Sequence, residues 1–233
     1  PNIMFILDDS SSMAWSFMGD DVVDKNYQNT VGYRSSLCNK IYYNPNIKYT
    51  VPVMSDGSAY AVQNFNSALY DGYQPLSLKV DLGVSFMAWR SNKSNLRTPS
   101  GSGTVEYTED CESLGDSCAP DSESQTSNQT LVKNQREPAY YFIYKGNGLD
   151  NLRDNSSRDH CKDKLYDTSN SGSHNWIKIV VGDRYGPGST DERENFANWY
   201  SYYRTRMLLM KTAVGHAFHV LDQNYRVGFS TIG

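Results

Sequence analysis

The sequence predicts an α/β fold in which the first and last strands share one parallel sheet and a large α+β insertion separates the first strand from the first helix. Three observations carry this. Ile3-Met4-Phe5-Ile6-Leu7 is apolar at every position, as a strand covered on both faces requires. Apolar residues recur in steps of three and four from Phe196 to Leu221, and a strand-like stretch follows at residues 225–232. Residues 13–188 stand where a strand-to-helix loop normally takes about 2 to 6 residues.

The elements follow in order. The first strand runs straight into Asp8-Asp9-Ser10-Ser11-Ser12, which places a polar cluster at its C-terminal end, where open α/β sheets bind ligands. Inside the insertion, strand-like stretches occur at residues 48–54, 76–80, 139–144 and 176–181. Residues 91–136 are dominated by Ser, Thr, Asn, Asp, Glu and Gly and predict a long polar surface loop. Fourteen of the 18 tyrosines fall in the insertion, and their strand propensity and apolar bodies predict a loop-rich core. Ser189 and Glu192 have the spacing of a capping box. From there one long helix is expected, its stripe formed by Phe196, Trp199, Tyr203, Met207, Met210, Val214, Ala217 and Leu221, with Asn224 as its stop.

This divides the chain into a parallel-sheet core, residues 1–12 and 189–233, and an inserted Tyr-rich subdomain, residues 13–188. Two strands and a helix cannot cover a parallel sheet, so the sequence is expected to be the front part of a longer domain. Its start at Pro1, without a charged or apolar leader, reads as a mature or trimmed end.

Lys and Arg number 22 against 26 Asp and Glu, a balance of −4 that argues against a dedicated nucleic-acid binder. Apolar runs are too short for a membrane-spanning helix. Four cysteines, Cys38, Cys111, Cys118 and Cys161, fit an oxidising compartment and permit three pairings. Pairing Cys111 with Cys118 would close a small ring in the polar loop and leave Cys38 to join Cys161; the other pairings stay open.

Asp8, Ser10 and Ser12 form the sharpest candidate site. Alternate residues of an extended turn can face one way, so a carboxylate and two hydroxyls can converge as hard ligands for Mg²⁺ or a similar divalent cation. The alternative is a polar loop that merely ends a strand. An aspartyl-phosphate nucleophile would need a second acid where Ser10 stands. His216 and His219 lie three apart instead of the four used by zinc proteases, and His160 and His174 have no recognised spacing. Neither a nucleophile elbow nor a phosphate loop is present, so the expected protein is no enzyme.

Asn2-Ile3-Met4-Phe5-Ile6-Leu7-Asp8-Asp9-Ser10-Ser11-Ser12-Met13 resembles the opening of a von Willebrand factor A domain with its metal-ion-dependent adhesion site. Ile41-Tyr42-Tyr43-Asn44-Pro45-Asn46-Ile47-Lys48-Tyr49, Phe196-Ala197-Asn198-Trp199-Tyr200-Ser201-Tyr202-Tyr203-Arg204-Thr205-Arg206-Met207 and Arg226-Val227-Gly228-Phe229-Ser230 resemble the PilC/PilY family of type IV pilus proteins. The glycine usual between the two serines is Ser11 here. The resemblance implies a von Willebrand factor A-like parallel sheet whose metal site draws a threonine and a second aspartate from later loops. It also implies a pilus-tip-associated adhesin and pilus biogenesis factor, exported through the periplasm to the cell surface. Its partners would be minor pilins and a host or abiotic surface ligand.

Overall fold

The computed structural model describes residues 2–18, 30–86, 138–145, 153–154, 158–163, 176–182, 190–221 and 224–232. In chain order its elements are β1 (Asn2–Asp8), β2 (Ala68–Leu69), β3 (Lys79–Val80), β4 (Tyr140–Tyr144), β5 (Arg153–Asp154), β6 (Arg158–Asp159), β7 (Trp176–Val180), α1 (Arg193–Tyr202), α2 (Arg206–Phe218) and β8 (Arg226–Ile232). Among the described residues the strands form four two-stranded sheets.

β1 pairs with β8 in parallel, Ile3 opposite Val227 and Asp8 opposite Ile232, which is the pairing expected of the two terminal strands. The other three sheets, β2–β3, β4–β7 and β5–β6, are antiparallel. Of the stretches read as strands in the insertion, residues 139–144 and 176–181 become the partners β4 and β7, Tyr141 opposite Ile179. Residues 76–80 contribute only Lys79 and Val80, and residues 48–54 form no strand, touching Ala59 through a single bridge at Val53. Their extended backbone is instead pinned by side chains: Asn195 Oδ1 accepts the Tyr49 N–H at 2.7 Å. The polar loop at residues 91–136, with Cys111 and Cys118, lies outside the described residues.

The single long helix is corrected to two. The apolar spacing runs in step through Trp199, Tyr203 and Met207, yet the backbone leaves the helix after Tyr202 and a new one starts at Arg206. Arg204 lies between the rings of Tyr70 (4.1 Å) and Tyr200 (4.4 Å) and donates through Nη1 to both their carbonyls. Thr205 then caps α2, its hydroxyl accepting the Leu208 N–H at 3.2 Å, while Thr212 donates to the freed Tyr202 carbonyl at 2.7 Å. α2 ends at Phe218, so Asn224 is not its stop.

The core lies between the insertion and α1. α1 is buried on all sides from Asn195 to Tyr202, and Phe196, Trp199 and Tyr200 pack with Tyr42, Tyr43, Phe86, Tyr141 and Ile179. Among the described tyrosines of the insertion, Tyr33, Tyr42, Tyr43, Tyr49, Tyr140 and Tyr141 are core residues, and burial sets their hydroxyls against specific partners. Tyr42 donates to the Tyr140 carbonyl at 2.8 Å, and the Tyr140 hydroxyl accepts from Arg34 Nε at 2.8 Å. A second cluster gathers Phe17, Val31, Tyr33 and Trp176 around the Cys38–Cys161 disulfide. Gly32 is required there, because a Cβ would fall 2.2 Å from the Cys161 carbonyl oxygen. The two ends of the span 87–137 meet: the Ala139 N–H donates to the Leu82 carbonyl at 2.8 Å, and Ala139 in turn accepts from Val181 at 2.8 Å.

Candidate functional site

Asp8, Ser10 and Ser12 come together at the C-terminal end of β1. The strand's alternation turns Asn2, Met4, Ile6 and Asp8 outward, and the Asp9 N–H makes a last ladder bond to Ile232 at 3.2 Å. The chain then folds into a short 3-10 turn, Ser11–Ala14, closed by the Met13 N–H on the Ser10 carbonyl at 2.9 Å. That turn brings Ser12 Oγ within 3.0 Å of Ser10 Oγ. The Ser10 N–H donates to Asp8 Oδ1 at 2.9 Å. The Ser10 hydroxyl and N–H, with a smaller contribution from the Arg206 charge, hold the Asp8 carboxyl below the usual carboxylate range. It is therefore ionised at neutral pH.

One exposed carboxylate and two hydroxyls within hydrogen-bond reach of each other are chemically suited to a hard cation. The set is short of charge: among the described residues no three His, Cys, Asp or Glu side chains come together. Behind it, Arg206 fastens the segment that follows the serines to the first turn of α2. Its guanidinium lies 4.6 Å over Trp15, its Nε donates to the Phe17 carbonyl at 2.7 Å, and its N–H donates to the Trp15 carbonyl at 3.0 Å. Trp15 stacks on Phe17 at 4.8 Å.

The remaining candidates part company. His216 and His219 converge on nothing: His219 Nδ1 lies 2.8 Å from the His216 carbonyl, and His216 Nε2 lies 3.4 Å from Thr50 Oγ1 on the surface. That hydroxyl–imidazole contact has no carboxylate behind it among the described residues. His160 Nδ1 meets Asp163 Oδ2 at 3.0 Å beside the disulfide, and His174 lies outside the described residues. The capping box is also corrected. Ser189 lies outside the described residues, and Glu192 is itself the cap residue of α1, without a side-chain capping bond. Its carboxylate turns inward, where Oε2 accepts from the Tyr43 hydroxyl at 3.2 Å and the Tyr141 hydroxyl at 3.1 Å, and Oε1 from the Gly182 N–H at 3.4 Å. Burial pushes its pKa up despite these donors.

Asn195 and Asn198 of α1 line a cleft with Lys48, Tyr49, Asp191 and Glu194. Sequence reasoning missed this group, since two asparagines at helical spacing give no motif. The one local signal was their place inside a helix otherwise rich in aromatic residues, where a polar side chain needs a specific partner.

No protein-family model matches the chain, and no solved structure does. Curated relatives do. The type IV pilus biogenesis factor PilY1 of Pseudomonas aeruginosa strain UCBPP-PA14 is 30% identical over 243 aligned residues, covering 100% of this chain and 16% of the relative. PilY1 of strain PAO1 is 29% identical and that of strain PAK 26%, each across 100% of this chain and 15% and 16% of their own lengths. The chain thus spans about a sixth of the relatives it matches. Along its whole length, and for that segment of them, the likeness supports placing this chain with the PilY1 family.

Proposed function

We propose that the chain is a non-enzymatic adhesion and assembly module of a type IV pilus biogenesis factor, carried on a von Willebrand factor A-like sheet and displayed at the pilus tip. The observation that carries this reading is the gathering of Asp8, Ser10 and Ser12 at the ligand-bearing end of a parallel strand, in a chain similar end to end to PilY1. When bound, a Mg²⁺-like ion would supply an electrophilic docking point for an acidic group of the ligand. Asp8 supplies the charge that holds it, Ser10 and Ser12 supply neutral oxygens, and Arg206 keeps the following segment in place. Minor pilins and a host or abiotic surface are the proposed partners. Among the described residues no helix is long and apolar enough to cross a membrane.

Two other readings make different predictions. An exported hydrolase could draw, among the described residues, on the exposed Thr50–His216 contact, which has no orienting carboxylate among them. A purely structural spacer would bind no ligand at all. The test is calorimetric titration of Mg²⁺ into the full-length protein and its Asp8→Ala variant, paired with cell-surface binding. The substitution is expected to weaken ion binding by about tenfold or more and to reduce cation-dependent adhesion. Equal affinities would remove Asp8 from the ligand set, and adhesion indifferent to both cation and variant would favour the spacer.

A further inference from the structure

The cleft beside the first two turns of α1 has a volume of about 410 Å³, inside the roughly 300–1,000 Å³ range of small-ligand pockets. Its two asparagines are used differently. Asn195 spends its whole amide: Oδ1 accepts from Tyr49, and the NH₂ donates to the Tyr43 hydroxyl at 3.1 Å and the Ile47 carbonyl at 2.8 Å. Asn198, one turn later and only 6% exposed, spends half. Its Oδ1 accepts the Gln63 N–H at 2.9 Å, which fixes the orientation of the amide and leaves the NH₂ without a protein partner among the described residues. A largely buried side chain whose donor opens onto a cleft is placed to meet an acceptor there.

The charges around it cancel. Asp191 is tied to Arg193 by two bonds of 2.9 Å, and the remaining ions, Lys48 and Glu194, are opposite in sign, exposed and without partners among the described residues. With Asp191 answered by Arg193 from outside the lining, no excess positive charge is left to select a phosphate or a sulfate. The lining does offer an amide donor on a largely buried side chain, a carboxylate acceptor and an ammonium donor. Adjacent hydroxyls, which donate and accept at once, match that set, as a sugar ring presents them.

We propose that this cleft binds a neutral or N-acetylated sugar unit, with Asn198 and Glu194 contacting its hydroxyls and Lys48 closing one side. The site is separate from Asp8 and needs no cation. The test applies the wild-type chain, Glu194→Gln and Asn198→Asp to an array of immobilised neutral, N-acetylated, sialylated and sulfated glycans, all in EDTA. Asn198→Asp keeps the acceptor for Gln63 while removing the donor, and Glu194→Gln alters only an exposed side chain, so the second decides the matter should the first fail to fold. The wild type is expected to retain a subset of neutral or N-acetylated glycans, and each substitution to weaken that retention by at least about tenfold with the near-ultraviolet circular dichroism of Glu194→Gln unchanged. Retention of nothing, retention of sialylated or sulfated glycans alone, or undiminished retention by Glu194→Gln would overturn the proposal. Because divalent cations are stripped throughout, such a failure leaves the Asp8 reading untouched.

Discussion

The aromatic centre of the insertion and the β1–β8 ribbon invert the usual relation between hydrophobicity and burial. In the insertion, tyrosines with polar tips are closed off from water: Tyr43 and Tyr141 are at most 1% exposed, as are Tyr200 and Tyr202 of α1, which packs against it. In the ribbon, Met4, Ile6 and Phe229 are 70%, 60% and 69% exposed. Burial of such polar tips is tolerated where they have somewhere to donate, as Tyr42 does to the Tyr140 carbonyl, Tyr141 to Glu192 and Tyr202 to the Ala61 carbonyl. The ribbon leaves apolar side chains open because a parallel pair has two faces to cover, and α2 reaches it mainly through the edge-to-face contact of Phe218 on Phe5. Burial is set by which partners the topology brings, not by how apolar a residue is.

The comparison breaks most readily at the disulfide. Cys38 and Cys161 close a loop over a sequence separation of 123, so Cys38→Ser with Cys161→Ser is expected to cost on the order of 4–5 kcal/mol, read as a lower urea midpoint. Next, Trp199→Ala removes a ring packed on Tyr42 at 5.2 Å and its Nε1 bond to the Ile41 carbonyl, and about 3–5 kcal/mol should be lost. Phe229→Ala in the ribbon is the matched control, expected within about 0.5 kcal/mol by the same denaturation. If the two cost the same, the contrast between the regions is wrong.

Glu192 sharpens the insertion side through pH. Its folded pKa is raised above the ordinary 4.5, so the native state holds its proton more tightly than the unfolded chain does. The stability this confers is full below pH 4.5 and is lost as pH rises through the folded pKa. Glu192→Gln should flatten that decline in a pH series of urea midpoints, even if its amide NH₂ opposes Gly182 and lowers stability overall. A wild-type profile rising across the same window would contradict the burial account. Among the substitutions that touch the aromatic centre, the smallest effect belongs to Tyr42→Phe, which strands the Tyr140 carbonyl and should cost about 1 kcal/mol with little change in packing.

What could be read from the chain was what local pattern decides. β1, β4, β7 and β8 are apolar or β-branched runs bounded by polar residues, and Asp8, Ser10 and Ser12 are neighbours whose convergence needs only a tight turn. The helix break could not be read, because Tyr203 and Met207 keep the apolar step while the cause, the Tyr70 ring over Arg204, lies far away in the chain. Glu192 has the right spacing for a cap and an entirely different use, decided by Tyr43 and Tyr141. Asn198 was invisible for the same reason, since its partner Gln63 is 135 residues distant.

The bond from Ala139 to Leu82 has an evolutionary consequence. It joins the residues on either side of the span 87–137 at 2.8 Å, so that span leaves and re-enters the fold at nearly one point. By the loop-closure relation, doubling the length of a loop closed at such a point costs only about 0.6 kcal/mol of entropy. Homologues can therefore be expected to differ freely in length here while Ala139, Leu82 and Val181 hold the doorway fixed, and a reporter peptide or epitope grafted between them should leave the aromatic centre folded.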